Sequence, residues 1–133
     1  MTTKKVELMR VFNSQLSSMF DDIHEIIPDN REIKIAQAKY DALRKMNPSL
    51  IIKIWFEFIY KPYATVIDAG DISFFYDKDY SEDLKNITGS KDIIIMIDNI
   101  RNPVKTMNET NKLKMATYIK NLSSISCMYS KMI

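Results

Sequence analysis

Between residues 50 and 60 the chain reads LIIKIWFEFIY, with charge only at Lys53 and Glu57. On a helix these two sit one turn apart, and Lys61 extends the same polar line. The rest of that cylinder is apolar, so it must be enclosed by other elements or lie in a membrane. A membrane span needs roughly 20 apolar residues. This stretch ends at Pro62 and carries charge, so the pattern predicts the buried central helix of a small bundle.

The flanking pattern supplies its neighbours. Met9, Phe12, Leu16, Met19, Ile23 and Ile26 recur at spacings of three and four, and Leu8, Phe20 and Ile27 widen the stripe. That is a bundle helix over residues 4–27, closed by Pro28. Asp29 with Glu32 reads as a capping box for a second helix reaching Met46, its inner face Ile33, Ala36, Tyr40 and Leu43. Asn47-Pro48 reads as cap and first residue of the central helix. Pro62 should kink or stop that helix, with one or two further turns over 63–68 and Gly70 as a left-handed stop.

Residues 71–77 show no helical stripe and are expected to form an ordered irregular segment or a short strand. Asp79 or Ser81 should cap a brief helix reaching residues 84–87, followed by the Thr88-Gly89-Ser90 loop. Ser90 is expected to cap a helix through KDIIIMIDNIR that Asn102-Pro103 terminates. Thr106 and Glu109 read as the capping box of a last helix. Met115, Tyr118, Ile119, Leu122, Ile125 and Tyr129 make its buried face, with fraying expected past Met128 because Ser123, Ser124 and Ser126 lower helix propensity.

Composition sharpens the class. At 133 residues the chain reads as one domain, 1–133, and two glycines with four prolines leave little turn chemistry for a many-stranded fold. The expectation is all-α: a compact bundle of four main helices plus one or two short ones, with an ordered acidic-aromatic segment around 70–80. One cysteine, Cys127, can form no internal disulfide. The opening MTTKKVELMRVF lacks an apolar signal core, and an intracellular location is the default.

Net charge is only +2, but it is unevenly placed. Across 68–83, six carboxylates face only Lys78, whereas from Leu84 onward eight lysines and arginines face three carboxylates. These stretches either neutralise each other in the fold or form two surfaces of opposite sign.

Candidate chemistry is sparse. Asp21, His24 and Glu25 could share a helix face, as a general base oriented by a carboxylate requires. A solvated helix end is the favoured reading, since no nucleophile motif accompanies them. Asp68, Asp71, Asp77 and Asp79 supply oxygens for a hard cation but lack the loop pattern of a calcium site, so no metal or other cofactor is expected. No glycine-rich phosphate cradle is present, and an enzyme is not expected. Lys105, Lys112, Lys114 and Lys120 form a candidate phosphate-gripping face on the last helix, though with little aromatic interleaving. Asp71, Phe74, Phe75, Tyr76, Asp77, Asp79 and Tyr80 mix acids with aromatics, as protein-binding surfaces do. The same residues could instead close one end of the core.

The run Ala69-Gly70-Asp71-Ile72-Ser73-Phe74-Phe75, followed by Lys78-Asp79-Tyr80 and by Arg101-Asn102-Pro103, resembles short uncharacterised proteins encoded by giant nucleocytoplasmic DNA viruses. The resemblance spans nearly the whole chain and carries no chemistry or functional residue with it. It implies a viral origin, a virus factory in the host cytoplasm as location, and packaging in the particle. It favours a structural or interaction role, with a viral or host protein as partner, over metabolism. Self-association through the seam of the first helix is an equally physical variant. A nucleic-acid module on the last helix is the second reading, and a small enzyme centred on Asp21, His24 and Glu25 the third.

Overall fold

A computed structural model describes residues 3–132. All regular structure among them is helical, with no strand. Helix α1 (Lys4–Ile26) starts where the Thr3 hydroxyl accepts the Val6 N–H at 3.2 Å. Helix α2 (Arg31–Met46) follows a short turn at Pro28. Its cap is Asn30, whose Oδ1 accepts the Ile33 N–H at 3.0 Å. The cap expected at Asp29 is therefore displaced by one residue, and with Ile33 at the third helical position no capping box closes. Asn fills the cap role as well as Asp, and the turn after Pro28 brings Asn30 to it.

Asn47 acts two residues before the central helix. Its Oδ1 takes the Ser49 N–H at 3.3 Å and the Ser49 hydroxyl at 3.0 Å, and α3 (Leu50–Ile54) starts after that turn. From Trp55 to Tyr60 the helix widens into a π-helical stretch, tightens to a 3-10 turn over Lys61–Tyr63, and resumes as α4 (Ala64–Asp68). The cause lies at Pro62, which has no N–H for the Phe58 carbonyl and whose ring would press against it. The preceding Lys61 N–H reaches five residues back to the Phe56 carbonyl, so the register shifts and the chain neither breaks nor stops. Gly70, at φ +84°, closes α4 with two bonds: its own N–H to Ile67 and the Asp71 N–H to Val66. That pair is a Schellman motif, which needs the left-handed backbone glycine adopts without strain.

The segment expected to be irregular is a short helix, α5 (Ser73–Asp77), followed by α6 (Ser81–Leu84). The Asp71 carboxylate accepts the Ser73 N–H at 2.9 Å, and Asp79 accepts the Ser81 N–H at 2.9 Å. Such local side-chain bonds start a turn where no apolar periodicity marks one. Helix α7 (Ser90–Lys105) begins at Ser90 itself, after Gly89, and runs through Pro103. Termination at Asn102-Pro103 is overridden because Pro103 and Val104 are both buried, so packing holds the last turn where the proline costs a backbone bond. Thr106 closes α7, its hydroxyl donating to the Pro103 carbonyl at 2.9 Å. It is thus not the cap of the last helix. Asn108 is, accepting the Asn111 N–H at 2.9 Å, and α8 (Glu109–Ser130) continues past Met128.

Helix α1 lies against α8, and α2 lies against α7. Lys5 sits over the Tyr129 ring while Asp22 meets Lys114, so α1 and α8 are antiparallel. The Lys39–Asp92 pair at 2.9 Å and the approach of Leu43 to Gly89 give α2 and α7 the same relation. The central segment runs between the pairs, with Ile52, Ile54, Trp55 and Ile59 each no more than 5% exposed. Of the seam of α1, Phe12, Leu16, Met19 and Ile23 lie inside the same chain at 2% exposure or less, while Met9 and Ile26 are half-buried.

Two polar groups sit inside this core. The Trp55 indole N–H donates to the Ser123 hydroxyl at 2.9 Å, and Ser123 and Ser126 are fully buried on α8. Asn13 donates to the Pro48 carbonyl at 3.1 Å and lies 3.0 Å from the Tyr40 hydroxyl, tying α1 to α2 and to the corner before α3. Of the three serines read as fray signals, Ser123 and Ser126 are therefore core positions and Ser124 is exposed. Replacing Ser123 with Ala removes the acceptor of the indole N–H with little change in volume, and should cost about 1–3 kcal/mol of stability by urea unfolding. Ser124→Ala on the exposed side should cost close to nothing; equal effects would contradict the assignment.

Candidate functional site

The acidic-aromatic stretch and the lysine-rich helices, which lie far apart along the chain, face each other across one end of the bundle. Arg101 on α7 holds them together. Its guanidinium, whose side chain is only 14% exposed, donates to the Phe75 carbonyl at 3.3 Å and to the Lys78 carbonyl, and pairs with Asp98 at 2.6 Å. The planar fork of Arg spreads its donors over three acceptors, Nη1 to the two carbonyls and Nη2 to the carboxylate. Lys105 adds an ion pair to Asp77 at 2.8 Å, and Lys112 places its charge 5.7 Å from the Tyr76 ring centre. One ion pair, Lys105–Asp77, crosses this contact, while Asp71 and Asp79 bond to serines within their own segment.

The aromatics divide. Phe75 and Tyr80 are each 2% exposed and belong to the core, Phe75 lying with Ile59 and Ile97 around a small apolar void beside Trp55. As folded they are closed to a partner, which corrects their place in the candidate binding set. Phe74 is half-buried and stacks on Tyr63 with ring centres 4.1 Å apart. Tyr76 is half-buried and faces α8.

The three aspartates are exposed, and each has local work. Asp71 is held below the usual carboxylate range by the Ser73 N–H and hydroxyl. Asp77 is lowered by its hydrogen bond and charge contact with Lys105, and Asp79 by its bonds to Ser81. Asp68, Asp71, Asp77 and Asp79 do not converge, and among the described residues no group of three or more acids, histidines or cysteines could hold a metal ion.

What remains open is a groove of about 250 Å³ between the α4–α5 corner and the first turns of α8. Asp71 and Tyr76 line one wall, and Glu109, Lys112 and Leu113 line the other. Leu113 is 69% exposed, a large aliphatic side chain standing in water beside a tyrosine ring. Burial, together with the charges of Glu109 and Asp71, raises the Tyr76 pKa above its ordinary value. Leu113 was absent from the residues singled out in the sequence, and Glu109 figured there only in a helix cap. A leucine off the buried stripe of its own helix was the available signal.

The other two candidate sets do not assemble. His24 pairs across to Gln37 on α2 at 2.6 Å, while Asp21 and Glu25 stay exposed. The carboxylate with a tertiary partner is Asp22, bonded to the Tyr118 hydroxyl and 3.5 Å from Lys114. Of the four lysines on the candidate phosphate-gripping face, Lys105, Lys112 and Lys114 each lie within 4.0 Å of a carboxylate. Lys120 alone has no such neighbour among the described residues. No helix there is long and apolar enough to cross a membrane.

Comparison of the chain with protein-family models, with curated proteins and with solved structures finds no match. The reading of the site therefore rests on its geometry.

Burial, then the hydrogen bond and charge of Asp22, raise the Tyr118 pKa from 10.0 to about 12. The unfolded chain loses this proton first, so the group's contribution is intact below pH 10 and disappears as pH rises toward 12. Urea unfolding at pH 9 and at pH 11.5 should therefore show a smaller alkaline loss for Tyr118→Phe than for the wild type. An equal loss would contradict the Asp22–Tyr118 contact.

Proposed function

We propose that this chain is a non-catalytic interaction protein that binds another protein through the groove between α5 and α8. The observation that carries the reading is Leu113, exposed in a concave site between Tyr76 and the charged pair Glu109 and Lys112. An exposed aliphatic beside an aromatic, ringed by charges, is the arrangement of an interface centre with its polar rim. The acids Asp71, Asp77 and Asp79 serve as rim and as turn caps, while Phe74 and Tyr76 supply area. The partner we propose is a viral or host protein in the virus factory or the particle, as the resemblance to giant-virus proteins implies.

The nucleic-acid reading is second, because carboxylates compete with phosphate for three of its four lysines. An enzyme centred on Asp21, His24 and Glu25 is third, since His24 is oriented by an amide and not by either acid.

The test uses a partner captured from infected-cell lysate and then purified, so that binding is measured directly by calorimetry. Leu113→Glu should weaken it by about tenfold or more, as loss of a central apolar anchor does. Val11→Glu, an exposed apolar position on α1, should leave it unchanged. Equal affinity of Leu113→Glu and wild type would remove the groove from the interface. Tight DNA binding at low salt with a steep salt slope would favour the second reading instead.

A further inference from the structure

A second groove, of about 330 Å³, opens at the other end of α8. Three elements far apart in sequence form it: the first turn of α1 through Lys5, the central segment through Lys53, Phe56 and Glu57, and the end of α8 through Tyr129 and Ser130. Its volume falls in the range of small-ligand sites, roughly 300–1,000 Å³. Its position is also distinctive. Phe56 and Glu57 lie in the π-helical stretch that Pro62 imposes, and such local widenings recur at functional sites.

The lining has a definite chemistry. The rings of Phe56 and Tyr129 give it an apolar floor, with Lys5 positioned 4.9 Å from the centre of the Tyr129 ring. Lys5 and Lys53 put two positive charges against the single carboxylate of Glu57. That carboxylate also has Lys61, which does not line the groove, at 3.7 Å. Exposed Lys4 and Lys131 flank the site in sequence and add to its positive field. An apolar floor beneath a rim with one net positive charge complements a single negative charge on an apolar body.

We infer that this groove binds an amphiphilic monocarboxylate, such as an acyl or aryl acid, with its carboxylate between Lys5 and Lys53 and its apolar part against Phe56 and Tyr129. The lysine stems also cover apolar surface while their heads stay in water, so both ends of such a ligand find a partner. Only one of the lysines needs to move. Lys53 is exposed and free to swing, whereas Lys5 is half-buried on the tyrosine ring.

The test titrates decanoate, with decanol as the neutral control, into the full chain and follows backbone amide chemical shifts. Saturable shifts are expected at Lys53, Phe56, Glu57, Tyr129 and Ser130, with decanol binding more weakly. Lys53→Gln, an exposed change that leaves the core untouched, should weaken decanoate about threefold, and the Lys5→Gln/Lys53→Gln pair about tenfold, with no change for decanol. Leu113→Glu lies at the opposite end of α8 and should leave decanoate affinity as it is, so this site and the protein-binding groove stand or fall separately. Decanol binding as tightly as decanoate, unchanged affinity in Lys53→Gln, or shifts scattered away from the groove would each overturn the assignment.

Discussion

The single tryptophan of the chain sets the geometry of the bundle. Trp55 is 5% exposed and meets three elements at once. Its ring takes Phe12 of α1 edge-on, with centres 5.8 Å apart and planes at 73°. Its N–H reaches Ser123 of α8, and its flank borders the apolar residues of α7. An aromatic pair of this kind adds about 0.5–1.5 kcal/mol beyond simple burial. The N–H matters more for specificity, because a buried donor must find an acceptor and only one helix register supplies it. Small serines at 123 and 126 let α8 come close enough for that bond. The positions of α1, α8 and the central segment are thereby linked through one side chain.

A second constraint works at the surface. Arg101 holds the 75–78 backbone against α7, and Lys105 holds Asp77, so the acidic segment is clamped and not left as a free arm. The clamp buries Phe75 and Tyr80 and turns Tyr76 toward α8, which creates the groove beside Leu113. Exposed ion pairs of this sort contribute little stability, roughly 0–1 kcal/mol each. Their effect here is positional. The mostly buried Arg101, bonded to two main-chain carbonyls, carries most of it.

The legibility of the sequence follows from which forces act locally. The buried faces of α1 and α2 and the enclosure of 50–60 could be read because apolar periodicity reports burial directly. The Gly70 stop could be read because few other residues tolerate its backbone. Caps were misassigned at Asp29 and Thr106, since Asn30 and Asn108 lie one and two residues on and perform the same bond. The α5 helix was missed because it is one turn long and is started by Asp71, with no stripe to announce it. The π-helical register and the continuation of α7 through Pro103 depend on tertiary packing, which single-residue rules about proline leave out. Buried Ser123 and Asn13 were invisible for a similar reason: their partners are Trp55, Tyr40 and Pro48, at least 27 positions away for each tertiary bond. Both grooves share that property, being assembled from elements distant in sequence.

The most direct test of the account is the fluorescence of Trp55, the only tryptophan. With the indole enclosed and hydrogen-bonded to Ser123, native emission should be blue-shifted relative to indole in water and resist acrylamide quenching. Both signals should be lost in a single urea transition that coincides with the loss of helical circular dichroism. Native emission resembling free indole, with ready quenching before any helix is lost, would contradict the central place given to this residue.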